Sequence, residues 1–338
     1  MKNKAEPDAP FRFFFAPRNR NAASVTAQKK VPFALDPILT IDSILASDTI
    51  FPGTGPPATG NHPSTHRTGD RSMNVQLIRN ATLKITYAGR TFLVDPWLAG
   101  KGETGTFRSL GGVFRCEDGK WDIPMPMCDL PLPREDILQG VDACICTHVH
   151  PDHIDISPDG TIGAALDRNL PLFVQSTEDA HAFVRSGFQD VTVMYENSRF
   201  DDIFLVLVPA RHGTKIPCGP AHGVILHHPD EPVLYLAGDT IWYDAVAETL
   251  RRWRPGVIVL NACAAFLLDE GRLIMDDADV EKVVRACDHA DVIISHMDNV
   301  AHASISRADM KKRLAERGIA ERVIMPDDGQ ILTFPVDR

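Results

Sequence analysis

The 338-residue chain lacks any run of 18 consecutive apolar residues, so nothing in it reads as a membrane-spanning helix. It also lacks a long basic block, and its formal net charge is −10 with a pI near 5.7. Phosphate backbones are held by clustered positive charge, so nucleic acid is not an expected partner. Cysteine is sparse and unpatterned: seven residues, an odd number, without a repeated spacing and with several inside apolar runs. Reduced thiols in a cytoplasmic protein are the simpler expectation than a disulfide framework. No G-x-S-x-G elbow is evident, and no internal repeat of fixed length.

What is present divides at residue 73. Residues 1–72 combine Pro/Gly turns (Phe51-Pro52-Gly53-Thr54-Gly55-Pro56-Pro57) with Asn, Ser and Thr clusters and hold no period for long. Such segments bury too little apolar surface to order by themselves. They are expected to form a disordered or non-native N-terminal extension without a catalytic role, and His62 and His66 are set aside with it. The first thirty residues carry seven Lys or Arg against two acids, but no amphipathic stripe of the kind a transit peptide needs.

From Met73 onward, β-rich runs cover 75–78, 82–87 and 91–94, the last two joined by a tight turn at Ala88-Gly89. Further strands are expected at 172–175, 191–195, 203–208, 223–227, 233–237, 257–260, 292–295, 323–325 and 330–334. Helices are expected from the Ser176 cap to Gly187, and over 242–253, 277–287 and 306–317, with a brief helical turn through positions 162, 165 and 166. Many strands precede the alternation with helices, an order that suits packed sheets with helices outside better than one doubly wound sheet. Residues 99–133 are rich in Gly and Pro, hold Phe107, Phe114 and Trp121, and show no clear period. A segment that long is a functional loop or poorly ordered, and its aromatics suggest that it folds over something.

The most informative stretch is Thr147-His148-Val149-His150-Pro151-Asp152-His153, directly after the apolar run 141–146. His148 and His150 are two apart, so extended backbone projects them to one side. Pro151 cannot extend a central ladder, so the chain turns and brings Asp152 and His153 back to the same space. Neutral imidazole is the commonest metal ligand, and a carboxylate adds the charge a divalent ion needs. Cys144 and Cys146, by contrast, alternate inside the strand and read as core. Three later apolar strands also end in a donor: 203–208 leads to His212, 233–237 to Gly238-Asp239, and 292–295 to His296. Asp95 ends the strand 91–94 in the same way.

On these residues, 73–338 resembles the metallo-β-lactamase superfamily, and within it the branch that includes L-ascorbate-6-phosphate lactonase and many metal-dependent hydrolases. The resemblance implies an α+β fold, an αββα sandwich with the metal site along one edge of the two sheets. It implies that His148, His150 and His212 bind a first metal, that Asp152, His153 and His296 bind a second, and that the Asp239 carboxylate bridges both. Asp95 matches an acid that supports the ligands from behind. His296 is preferred to His302 as ligand because it directly ends its strand. His302 then stands near the substrate as a proton donor or hydrogen-bonding group, or simply sits in its loop. Cys218 and His222 are close enough in sequence to line the pocket; His181, His227, His228 and His289 read as structural or exposed.

The expected chemistry is hydrolysis of a small-molecule ester, lactone or phosphoester by a metal-bound hydroxide, with Asp152 orienting it and His302 beside the substrate. Two Zn²⁺ ions suit the His-rich set, and Mn²⁺ or Fe²⁺ fit as well. The alternatives are a phosphodiesterase or nuclease of the same fold, and a non-catalytic metal-binding protein. Lys101, Arg108 and Arg115 are candidates for holding a phosphate or carboxylate, each otherwise a solvated charge. The expected partner is a small-molecule substrate, with neither nucleic acid nor membrane; the oligomeric state is open, and a homo-oligomer is compatible.

Overall fold

The computed structural model describes residues 72–335. The expected extension lies outside the described residues except for Ser72, which opens the first strand. β1 (Ser72–Arg79), β2 (Thr82–Tyr87), β3 (Arg90–Val94), β4 (Ala143–Cys146), β5 (Leu172–Val174) and β6 (Val191–Val193) lie in one sheet. β7 (Ser198–Phe200), β8 (Ile203–Pro209), β9 (His222–His227), β10 (Leu234–Leu236), β11 (Val257–Asn261), β14 (Asp291–Ser295) and β15 (Val323–Ile324) form the other. β12 (Phe266–Leu267) and β13 (Gly271–Arg272) make a small separate ribbon, and β16 (Ile331–Pro335) returns to the first sheet beside β1. Both large sheets thus have seven strands, in the orders β16-β1-β2-β3-β4-β5-β6 and β15-β14-β11-β10-β9-β8-β7.

The two sheets share a plan. Each runs as an antiparallel meander, through β3 in the first and β10 in the second, and continues with parallel strands. The alternation of side chains decides the layers. In β4, Ala143 and Ile145 point into the layer between the sheets, while Cys144 and Cys146 point outward into a second apolar layer. In β11, Val257 and Val259 face inward, and Ile258 and Leu260 face the helices on the other side. Strands covered on both faces are buried along their whole length, as β4 and β11 are.

Helices cover both outer faces. α1 (Arg134–Leu138) and α2 (Thr177–Arg185) cover the first sheet, with Ile137 and Phe183 buried against it. α3 (Asp244–Trp253), α4 (Asp277–Ala286) and α5 (Arg307–Glu316) cover the second through Val246, Leu250, Val283 and Leu314. Ser176, Asp276 and Ser306 cap α2, α4 and α5 by accepting the backbone N–H three residues on, which satisfies donors that a helix start leaves open. The result is the expected α+β sandwich of four layers.

Positions 162–166 do not form the expected helical turn. Ile162 bridges Ile156, and Leu166 N–H turns back to the Gly163 carbonyl at 3.0 Å. Gly163 takes φ +60, and a Cβ there would stand 3.2 Å from Leu166 and 3.3 Å from Phe188, so the chain is pressed against its neighbours rather than coiled. The strand expected at 191–195 stops at Val193, and α1, β7, β12 and β13 are too short to have announced themselves in the sequence.

Candidate metal centre

The carboxyl ends of β3, β4, β10, β11 and β14 open on one edge of the sandwich, where sheets of this kind expose their loops to ligands. After β4 the chain passes Thr147 and reverses at Pro151, with His153 N–H and Ile154 N–H both directed to the His150 carbonyl at 3.0 and 3.1 Å. That turn brings Asp152 and His153 back beside His148 and His150. His212 follows β8, Asp239 follows β10, and His296 follows β14. Gly238 is required before Asp239: its φ is +62, and a Cβ there would lie 2.8 Å from the His222 carbonyl oxygen.

All seven expected ligands are drawn together in three overlapping sets, His148/His150/His212, His148/His153/Asp239 and Asp152/His153/His296, with the donor atoms of each set within 4.8 Å of one another. His302 belongs to none of them. The Oδ2 atom of Asp239 is central, 3.2 Å from His212 Nε2, 3.4 Å from His153 Nε2 and 3.9 Å from His148 Nε2. Asp152 Oδ2 lies 3.4 Å from His296 Nε2 and 3.9 Å from His302 Nε2. Two donors on one tetrahedral zinc ion, each about 2.0–2.1 Å from it, stand about 3.3 Å apart. Three of these separations match that spacing. His153 Nε2 and His296 Nε2 are moreover buried and face carboxylate oxygens, Asp239 Oδ2 and Asp152 Oδ2, at 3.4 Å without good hydrogen-bond geometry, an arrangement that a cation shared by ring and carboxylate would satisfy. The residues present therefore fit a pair of divalent ions.

The donors are held from behind. Asp95 accepts from Thr147 N–H and Oγ1–H, both at 2.7 Å, and pairs with His153 Nδ1 at 2.8 Å. That contact leaves His153 Nε2 facing the centre. Asn261, at the end of β11, donates from Nδ2 to Asp239 Oδ1 at 2.7 Å and accepts from Ser295 Oγ at 2.7 Å. One Asp239 oxygen is thus occupied, and the other faces the imidazoles. Backbone strain collects here as well: Asn80, Asp95, His296 and Asp298 have φ of 55, 45, 62 and 61. Side chains other than glycine hold the left-handed region only where their surroundings impose it.

The charges of the cluster divide its imidazoles. Burial, reinforced by the neighbouring histidines, drives His148 well below its usual range and His150 down to about 3. Burial also opposes charge on His153, but Asp239 and Asp95 outweigh it and raise the group to about 10. His296 is raised well above its usual range against the same burial, chiefly by Asp239 and Asp152. Burial likewise disfavours ionised Asp152 and Asp239, yet the facing imidazoles hold both carboxyls well below the normal range.

A pocket lies over the centre, with His150, Asp152, His212, Asp239 and His302 in its wall. Much of the rest of the wall comes from the 99–133 segment, which does fold over something. Phe114 meets His150 edge-on at 5.5 Å, and Phe107 meets His302 edge-on at 5.3 Å. Buried Arg79 ties down both ends of the segment, donating to the carbonyls of Trp97, Ala99 and Cys128 at 3.0, 2.8 and 2.9 Å. Bonds from Leu268 N–H to Arg115 O at 2.7 Å and from Met127 N–H to Asn299 O at 3.0 Å fix its middle and far end.

The basic candidates are elsewhere. Arg108 forms a two-pronged pair with Asp122 at 2.7 and 3.0 Å, Arg115 pairs with Asp269 at 3.0 Å, and Lys101 is exposed. Among the described residues, no lysine or arginine lines the cavity. Cys218 does line it, whereas His222 turns away to Gln175 at 3.0 Å. Sequence reasoning missed Asn80, Thr147 and Asn261; Asn261 ends an apolar strand as the ligands do and carried the same signal.

No family model matches the chain. It is 38% identical over 266 residues to UPF0173 protein YddR of Bacillus subtilis (strain 168), a match covering 78% of this chain and 100% of that protein. Among solved structures, a possible metal-dependent hydrolase from Veillonella parvula DSM 2008 is 35% identical with a TM-score of 0.69, covering 78% of this chain and 100% of that one. An isothiocyanate hydrolase from Delia radicum gut bacteria is 30% identical with a TM-score of 0.68, over 78% and 100% of the two chains. The fold is also that of YhfI, a metallo-β-lactamase fold protein from Bacillus subtilis, at 13% identity and a TM-score of 0.50 over 78% and 99%. By its identity to a relative matched from end to end the chain belongs to the UPF0173 family, and its two-sheet sandwich with donors along one edge is a metallo-β-lactamase fold.

Proposed function

We propose that this protein is a metal-dependent hydrolase with a donor set for two divalent ions, and that it acts on a small uncharged electrophile bearing an apolar group. The observation that carries this reading is the donor cluster at the wall of a pocket whose remaining surface is largely apolar and, among the described residues, carries no lysine or arginine. His148, His150 and His212 would hold one ion, Asp152, His153 and His296 the other, with Asp239 Oδ2 between them. Zn²⁺ suits this set, and Mn²⁺ or Fe²⁺ would be accepted by the same donors. When bound, such ions supply Lewis acidity and make water a nucleophile at neutral pH.

The chain's own groups do the rest. Asp152 is kept ionised by the imidazoles facing it, so it accepts a hydrogen bond and orients the attacking water. His302 is lowered by burial to about 4, Asp152 opposing, and is therefore neutral at pH 7. Its Nδ1 is buried without a partner among the described residues. A neutral ring so placed acts as a hydrogen-bonding group to the substrate rather than as a store of a proton. Trp97, Phe107, Phe114 and Leu273 exclude bulk water and pack the apolar group.

A phosphoester would bring negative charge to a wall that, among the described residues, has no lysine or arginine, which ranks phosphodiesterase and nuclease chemistry last. Uncharged esters and lactones remain. The identity shared with an isothiocyanate hydrolase adds R–N=C=S compounds to the same class. There, water adds to the central carbon, nitrogen takes up both protons as the C–N bond breaks, and R–NH₂ and carbonyl sulfide leave. A small molecule rather than nucleic acid is the proposed partner, and a reducing cytoplasm the proposed location. None of the seven cysteines forms a disulfide, and no helix among the described residues is long and apolar enough to cross a membrane.

The test is a panel of isothiocyanates, lactones, esters and phosphodiesters with metal-loaded protein. Turnover is expected on neutral substrates with apolar groups and should be abolished in His148→Ala and Asp152→Ala. Turnover confined to phosphodiesters, or full activity in either variant, would reject the reading.

A further inference from the structure

Asn80 links a loop of each sheet behind the metal donors. It sits at the tip of the β1–β2 hairpin, 1% exposed, with φ 55. Its carbonyl accepts the backbone N–H of His296 at 2.8 Å, and its side-chain Nδ2 donates to the backbone carbonyl of Asp152 at 3.0 Å. Asp152 follows a strand of the first sheet and His296 a strand of the second, yet both belong to one donor set, Asp152/His153/His296. A single residue thus fixes the backbone of two of its three members. No hydrogen bond joins Asn80 to His148, His150 or His212 among the described residues.

Stability alone does not account for an asparagine here. Its Oδ1 is buried and has no partner among the described residues, and burying an unpaired acceptor is unfavourable. Glycine, asparagine and aspartate are the residues that enter this left-handed backbone most readily, and of these only asparagine supplies the Nδ2–H that the Asp152 carbonyl accepts. We infer that Asn80 is a positioning residue for the second ion, setting the distance between Asp152 and His296 by holding one loop from each sheet. The inference rests on the reading of the donor cluster as two ion sites.

The test is a titration of chelator-stripped full-length protein with Zn²⁺ and Co²⁺, read by calorimetry and by Co²⁺ absorption. Asn80→Gly keeps the backbone conformation and removes the amide; Asn80→Asp keeps the shape and sets a carboxylate against the Asp152 carbonyl. Both should take one ion as the wild type does and bind the second about 10–100-fold more weakly, the loss typical of a partner behind a ligand. Their turnover should recover in excess metal. His212→Ala, which removes a donor found only in the first set, should show the reverse pattern. Wild-type protein that takes two ions, with both Asn80 variants matching it at each step, overturns the inference alone. Wild-type protein that takes a single ion overturns the two-site reading and the inference with it. A melting curve confirms that Asn80→Gly is folded under the titration conditions.

Discussion

The ring of His153 lies between two carboxylates, Nδ1 at 2.8 Å from Asp95 and Nε2 at 3.4 Å from Asp239, and this balance governs how the centre takes up an ion. In the metal-free protein the ring is raised to about 10, so it carries a proton throughout the neutral range. An ion needs the Nε2 lone pair, so binding must expel that proton. Affinity at this set should therefore rise with pH, about tenfold per unit for each proton released, and level off above about pH 10. His148 and His150 are already neutral at pH 6, so uptake at their set should depend less on pH. Titrations at pH 6 and pH 8 check this; equal slopes for both ions would contradict it. These donors were legible in the sequence because each follows an apolar strand and brings its own chemistry. Asn80 was not, because an asparagine at a hairpin tip is ordinary, and its meaning comes from Asp152 and His296, which approach it only in the folded chain.

Among the elements, the 99–133 segment decides what reaches the centre. Its lack of periodicity was visible, and so were its aromatics, but its path depends on Arg79 and on backbone bonds to 268 and 299 that no local pattern encodes. Strands were readable by alternation, as in β1, or as short buried apolar runs, as in β10 and β11, whereas a five-residue helix such as α1 and two-residue strands such as β12 leave no period to read. Phe114 forms part of the cavity wall and touches His150 only through its ring edge. Phe114→Ala should raise KM for substrates with bulky apolar groups about tenfold, the usual worth of a lost apolar contact, while leaving metal content unchanged. Kinetics paired with metal analysis would check it; a fall in bound metal would mean that the ring supports the ligands instead.

For the molecule as a whole, the centre joins two sheets that otherwise meet mainly through apolar packing, with a few polar contacts such as Tyr87 Oη–H to the Leu226 carbonyl at 3.1 Å. His148, His150, Asp152 and His153 come from the first sheet, and His212, Asp239 and His296 from the second. Ions that bind only the folded chain stabilise it by mass action, about 4 kcal/mol at free metal a thousandfold above Kd. Chelation should therefore lower the melting temperature, and identical melting curves with and without chelator would show that the donors do not couple the sheets.

One pairing sets a schedule for synthesis. β16 closes the first sheet against β1, and Gln76 Nε2 reaches the Gly329 carbonyl across 253 positions of sequence. A ribosome therefore releases β1 long before its outer neighbour exists. Until then the nascent chain presents a bare strand edge, the kind of surface that pairs with other chains, and that edge is where a chaperone would be needed.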